Sequence, residues 1–158
     1  MKMGTESSAA RVYRVGVPPV PQPHLPYTID VCWSFTRQFQ DRQFPRLNDD
    51  LISEVTSVAF REETEVLNEQ LRKQGNKQLL SCIDGLKTMG GTLLHELTHT
   101  HLGGDTRDLP EGECYSWKCV VAAKSVRNAD SFAMLGIALE LWSRNYMVNE
   151  DGTFEKFE

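Results

Sequence analysis

The sequence predicts a mainly helical single domain with a minor sheet, an α+β chain weighted toward α. Three observations carry that expectation. Two long stretches repeat apolar residues at spacings of three and four, the period of a helix with one buried face. Capping residues and helix-stopping glycines stand near the ends of these stretches. Strand-like alternation is confined to one short run near residue 30, with a turn signal for a hairpin in the tail. At 158 residues, 40% hydrophobic and 25% charged, the chain can bury one core and does not have the composition of a disordered protein.

Taken in order, residues 17–26, VPPVPQPHLP, hold five of the seven prolines, and proline removes the helix donor and clashes with the preceding turn. Residues 1–26 are therefore expected as an extended arm, more a surface linker than a recognition ligand, and 27–158 as the domain. In YTIDVCWSF, Ile29, Val31 and Trp33 fall on one side, which fits a short strand. Residues 48–75 form the clearest helix, with Leu51, Val55, Val58, Ala59, Val66, Leu67 and Leu71 in helical register. Asn48 or Asp49 suits its start and Gly75 its end. A second helix is expected from about Gly91 through His101, stopped by Gly103-Gly104, and a third from about Tyr115 to Val126. A fourth covers Asp130 to Tyr146, with Asn128 or Asp130 as cap and Phe132, Leu135, Leu139, Trp142 and Tyr146 as its core stripe. The tail NEDGTFEKFE carries a DG turn and ends in a short hairpin strand or frays.

The formal charge of −5 argues against nucleic acid as a partner, since phosphate binding demands a basic surplus. No apolar run reaches eighteen residues, so no membrane-spanning helix is expected. The start, MKMGTESSAARVYRV, lacks an apolar h-region and does not resemble a signal peptide. A cytosolic protein and a form trimmed from a longer precursor both fit. Four cysteines, Cys32, Cys82, Cys114 and Cys119, permit two disulfides or four thiols, and none forms a CxxC pair.

The chemistry concentrates in LLHELTHTHLGGDTRD, residues 93–108. His95-Glu96-Leu97-Thr98-His99 is an HExxH motif. Four residues apart on a helix, His95 and His99 lie one above the other and can each give a nitrogen to one metal ion. Glu96 stands beside them, placed to reach a metal-bound water without ligating, while Leu93, Leu94 and Leu97 are expected to bury the back of the helix. Two imidazoles and a carboxylate suit zinc and leave a fourth position for water. The third ligand is not another histidine of an HExxHxxGxxH pattern, because position 105 is Asp105. The glycine turn instead folds an acid back beneath the helix end, with Asp108, nine residues past His99, and Asp105 as the candidates. His101 lies on another side of the helix and is expected as a surface residue.

HELTH followed by GGDTRD resembles the aspzincin metallopeptidases, the family of deuterolysin and the fungal lysine-specific endopeptidases. The later Tyr115-Ser116-Trp117 and Asn128-Ala129-Asp130 extend the resemblance, which is strong over 88–146 and weak over 27–87. It implies a zincin-like fold with one Zn2+ ion held by His95, His99 and Asp108, and Glu96 as general base. It also implies Tyr115 as donor to the developing oxyanion and Asp130 as a substrate-binding acid. From the residues alone, Tyr115 serves equally as an aromatic anchor for the third helix, and Asp130 more readily as a helix cap. The chain departs from the family in the extra Asp105 and in the segment 109–114 that displaces the tyrosine. It departs again at Ala133, where lysine-specific members carry a second pocket acid, so lysine specificity does not carry over.

The resemblance thus implies a zinc metallo-endopeptidase acting on a protein or peptide as an extracellular monomer, with Cys32–Cys82 a possible disulfide. The alternative is a zinc-binding protein of the same fold without peptidase activity, for which Glu96 would have no use. A cytoplasmic location is the alternative to export.

Overall fold

The computed structural model describes residues 10–14, 27–109 and 114–157, and the proline run at 17–26 lies outside these. Among the described residues the protein is mainly helical. Strand β1 (Ala10–Arg14) pairs antiparallel with β2 (Tyr27–Val31), Val12 opposite Ile29. The helices are α1 (Trp33–Asp41), α2 (Asp49–Thr56), α3 (Val58–Lys73), α4 (Met89–Thr98), α5 (Trp117–Ala123) and α6 (Ala129–Ser143). A 3-10 turn, Cys82–Leu86, precedes α4, and a hairpin of β3 (Tyr146–Val148) and β4 (Phe154–Lys156) follows α6.

Two elements differ from expectation at the front of the chain. The strand stops at Val31, and Trp33 opens α1 instead of continuing it, with 68% of its surface exposed. The single helix expected over 48–75 is broken at Ser57, whose backbone is extended (φ −63°, ψ 155°). Its hydroxyl accepts from the Phe60 amide at 3.1 Å and so starts α3 afresh, as serine does when it competes with the helix for backbone donors. Asn48 caps α2 in the same way through the Leu51 amide, and Gly75 (φ 73°) follows the end of α3. The break changes which residues are inside. Leu51 and Val55 are buried, whereas Val58, Val66 and Leu67 lie exposed. In α3 the buried residue is Asn68, which bonds both the amide and the carbonyl of Leu80 and ties the approach to the 3-10 turn.

The core gathers Leu51, Ile52 and Val55 of α2, Ile83 and Leu86 of the 3-10 turn, and Met134, Ile137 and Leu141 of α6. Of the stripe expected inside on α6, Leu135, Leu139 and Trp142 are exposed and Phe132 is 36% exposed, while Tyr146 lies beyond the helix end in β3 and packs against the core. The opposite face is buried, Ala129, Asp130, Ala133, Met134, Ile137 and Leu141. An apolar helix offers no polar side from which to tell its faces, so close approach decides. The small side chains Ala129 and Ala133 lie on the buried face, and at Gly136 a Cβ would stand 3.2 Å from the Leu94 side chain. Trp142 still finds a partner in the Phe157 ring, centroids 4.9 Å apart.

The α4 helix starts at Met89, capped by the Thr88 hydroxyl, and ends at Thr98 rather than His101. α5 is shorter than expected, and Lys124 just past its end takes the left-handed region (φ 46°). The tail forms the hairpin, turning at Gly152 (φ 83°). The disulfide joins Cys114 to Cys119, and the expected Cys32–Cys82 pair is not made: Cys32 is exposed at the start of α1, while Cys82 sits buried in the core. No helix among the described residues is long and apolar enough to cross a membrane.

Candidate metal centre

The HExxH spacing on α4 places its two imidazoles in one corner. His95 Nε2 and His99 Nε2 are 3.2 Å apart, with the rings edge to face. Asp108 Oδ1 faces both nitrogens, 3.1 Å from His95 and 3.3 Å from His99. One donor atom from each of the three residues lies within 4.8 Å of the others. Asp108 Oδ1 is buried without a well-formed hydrogen bond, so a carboxylate oxygen and two imidazole nitrogens converge on a point that suits a cation. Two nitrogens and one carboxylate oxygen are the donor set of a zinc site with an open fourth position.

The turn after α4 delivers Asp108. Gly104 (φ 116°) and Asp105 (φ 50°) reverse the chain. Gly103 passes so close to α4 that any Cβ there would collide with the Leu97 carbonyl. The Thr106 amide then bonds the Thr98 carbonyl at 3.0 Å, and their hydroxyls meet at 2.7 Å. Next, the Arg107 amide donates to the Arg127 carbonyl at 2.8 Å, and the Ala129 amide donates back to Arg107 at 3.0 Å. Asp108 is thus pinned to the start of α6.

Asn128 completes the frame. It precedes α6 but makes no side-chain cap, contrary to the reading of it as a capping residue. Its Oδ1 accepts from the Leu109 amide at 3.2 Å and its Nδ2 donates to the Cys114 carbonyl at 3.4 Å, so it joins the segment after Asp108 to the loop carrying Tyr115. Sequence reasoning missed this role, and that of Thr106. The available signal was Asn128-Ala129-Asp130 itself, a polar start to an otherwise apolar helix.

Asp130 lies two residues past the cap position, inside the first turn of α6, and does not cap it. Its carboxylate faces His95 instead, Oδ1 3.3 Å from Nδ1, and Lys87 Nζ stands 3.9 Å from the same oxygen. Lys87 also donates to the Tyr115 carbonyl. Tyr115 is half-buried with its ring centroid 6.1 Å from that of His95, which puts it at the edge of the site. Asp105 pairs with His101 at 2.8 Å on the surface, and neither belongs to the convergent set. Leu94 and Leu97 are exposed rather than covering the back of α4.

The electrostatics follow from burial among opposite charges. Burial disfavours a charge on His95, yet the facing Asp108 and Asp130 carry it up to about 9. Asp108 raises His99 too, and the two histidines hold Asp108 well below the usual carboxylate range. Glu96, buried beside them, is raised chiefly by desolvation. Burial, with the Asp108 charge, pushes the Tyr115 phenol up to about 12. His99 Nδ1 donates to the Thr106 carbonyl at 2.9 Å, which leaves its Nε2 lone pair for a metal.

No protein-family model, curated protein or solved structure matches this chain. The chemistry of the site itself carries the functional reading.

Proposed function

We propose that the protein is a zinc metallo-endopeptidase with a zincin-like fold of the aspzincin kind, His95, His99 and Asp108 holding one zinc ion. The observation that carries this reading is the convergence of these three donors with the buried Glu96 adjacent in sequence. A metal holder has no need of Glu96, whereas hydrolysis needs a base there. Zinc in such a site supplies Lewis acidity, acidifying a water and polarising the scissile carbonyl.

Glu96 takes the proton of the attacking water as its oxygen bonds to the carbonyl carbon, then gives that proton to the amine nitrogen as the C–N bond breaks. Desolvation, which raises the affinity of Glu96 for a proton, suits a group that must hold one between the two steps. Tyr115, a neutral phenol at the edge of the site, donates to the oxyanion. The substrate is a protein or peptide, with a preference broader than lysine because Ala133 offers no second acid. We place the working protein outside the cell, and the Cys114–Cys119 disulfide supports an oxidising compartment.

Digestion of a peptide library with added zinc, read by mass spectrometry, tests the reading. Cleavage before many residue types, abolished by a chelator and restored by zinc, is expected. Cleavage solely before lysine would overturn the specificity, and intact peptides beside zinc-loaded protein would leave only a zinc-binding protein.

A further inference from the structure

We propose that Asp130 is a positioning residue for the zinc site, the carboxylate that orients His95, rather than an acid of a substrate pocket. The inference rests on the zinc reading above. His95 directs Nε2 at His99 and Asp108, so Nδ1 is turned the opposite way, and there Asp130 Oδ1 meets it at 3.3 Å. An imidazole that donates from Nδ1 to a carboxylate is fixed in its tautomer and its ring plane, and the Nε2 lone pair becomes a stronger metal donor.

Burial separates the two roles. An acid that receives a substrate's ammonium group must be reachable from the cleft, yet Asp130 is only 4% exposed. Besides His95, the chain's own Lys87 already stands 3.9 Å from its Oδ1. Asp130 Oδ2 is buried with no hydrogen-bond partner, so the carboxylate is held by what surrounds Oδ1 and by its position in the first turn of α6, where helix amides favour negative charge. The backbone explains how it came to face His95. The bonds between Arg107 and the 127–129 segment fix the start of α6 against the strand-like piece that carries Asp108. One clamp therefore delivers a metal ligand and the carboxylate behind another ligand. His99 receives the corresponding support from the Thr106 carbonyl, a neutral partner for one histidine and a charged one for the other.

The test compares zinc affinity of the wild type, Asp130→Asn and Asp130→Ala by competition with a chromophoric chelator, with circular dichroism to confirm folding. The alanine variant should bind zinc about 10–100-fold more weakly, the range for losing a carboxylate behind a metal-bound histidine. Asparagine keeps an acceptor oxygen without the charge and should fall between. Nitrogen-15 NMR of the zinc-loaded wild type should show His95 protonated at Nδ1, a readout independent of whether either variant folds. Wild-type zinc affinity in both variants, or a change confined to the KM for a cationic peptide, would overturn the inference while leaving the zinc reading intact. So would a His95 protonated at Nε2. A wild type that takes up no zinc would overturn both.

Discussion

His95 receives carboxylates from two parts of the chain, Asp108 at Nε2 and Asp130 at Nδ1, and its behaviour without metal follows from that. The two acids overcome burial and lift its pKa from an ordinary 6.5 to about 9, so the metal-free site holds a proton at neutral pH. A folded-state pKa above the unfolded one contributes stability that is complete below the unfolded value and lost as pH rises through the folded value. The chelator-treated protein should therefore melt at a lower temperature at pH 9.5 than at pH 7, because the proton linking His95 to its acids is leaving. Zinc replaces that proton and should remove the drop, which melting curves followed by circular dichroism at both pH values would check. An equal drop with and without zinc would show that other groups are responsible. The pairing of His95 with His99, and an acid from the turn that follows, were legible in the sequence because their relation is local, whereas the choice of Asp108 over Asp105 rests on how that turn folds. The partnership of Asn128 with Leu109 and Cys114 was not legible, because it spans up to 19 residues through space.

At the level of elements, α6 shows where a periodic pattern misleads. Phe132, Leu135, Leu139 and Trp142 repeat at helical spacing, but so do Ala133, Met134, Ile137 and Leu141, and only the second set faces the core. The larger side chains drew the sequence reading outward, while the smaller ones let α6 approach α4. Leu139→Lys should then change stability by no more than about 0.5 kcal/mol, as for an exposed position. Met134→Ala should cost about 2–5 kcal/mol, through lost burial and the cavity left behind. Urea unfolding of the two variants checks the assignment, and the reverse order would restore the first stripe to the core. The break between α2 and α3 was hidden for a related reason. Ser57 is tolerated inside a helix pattern, and its extended backbone and its hydroxyl bond to Phe60 show that it begins a new one.

Across the whole molecule, three separated pieces meet at one corner: the α4 helix, the turn carrying Asp108, and the start of α6 with the disulfide-closed loop beside it. The helical class was legible from spacing and capping and the turn of the tail hairpin from its DG pair, whereas the start of β3 at Tyr146 was read as the end of α6. The disulfide was not legible, because four cysteines allow several pairings and burial of Cys82 decides against one of them. What this assembly is built to do turns on Glu96, the one acid of the HExxH motif, which lies outside the convergent donor set. The most direct measurement sets wild type beside Glu96→Gln, with zinc content by elemental analysis and peptide hydrolysis by mass spectrometry on the same samples. The expected result is about one zinc per chain in both proteins and hydrolysis in the wild type alone. Hydrolysis by the glutamine variant at the wild-type rate would contradict Glu96 as the base, and a zinc-loaded wild type that cuts no peptide would contradict the peptidase itself.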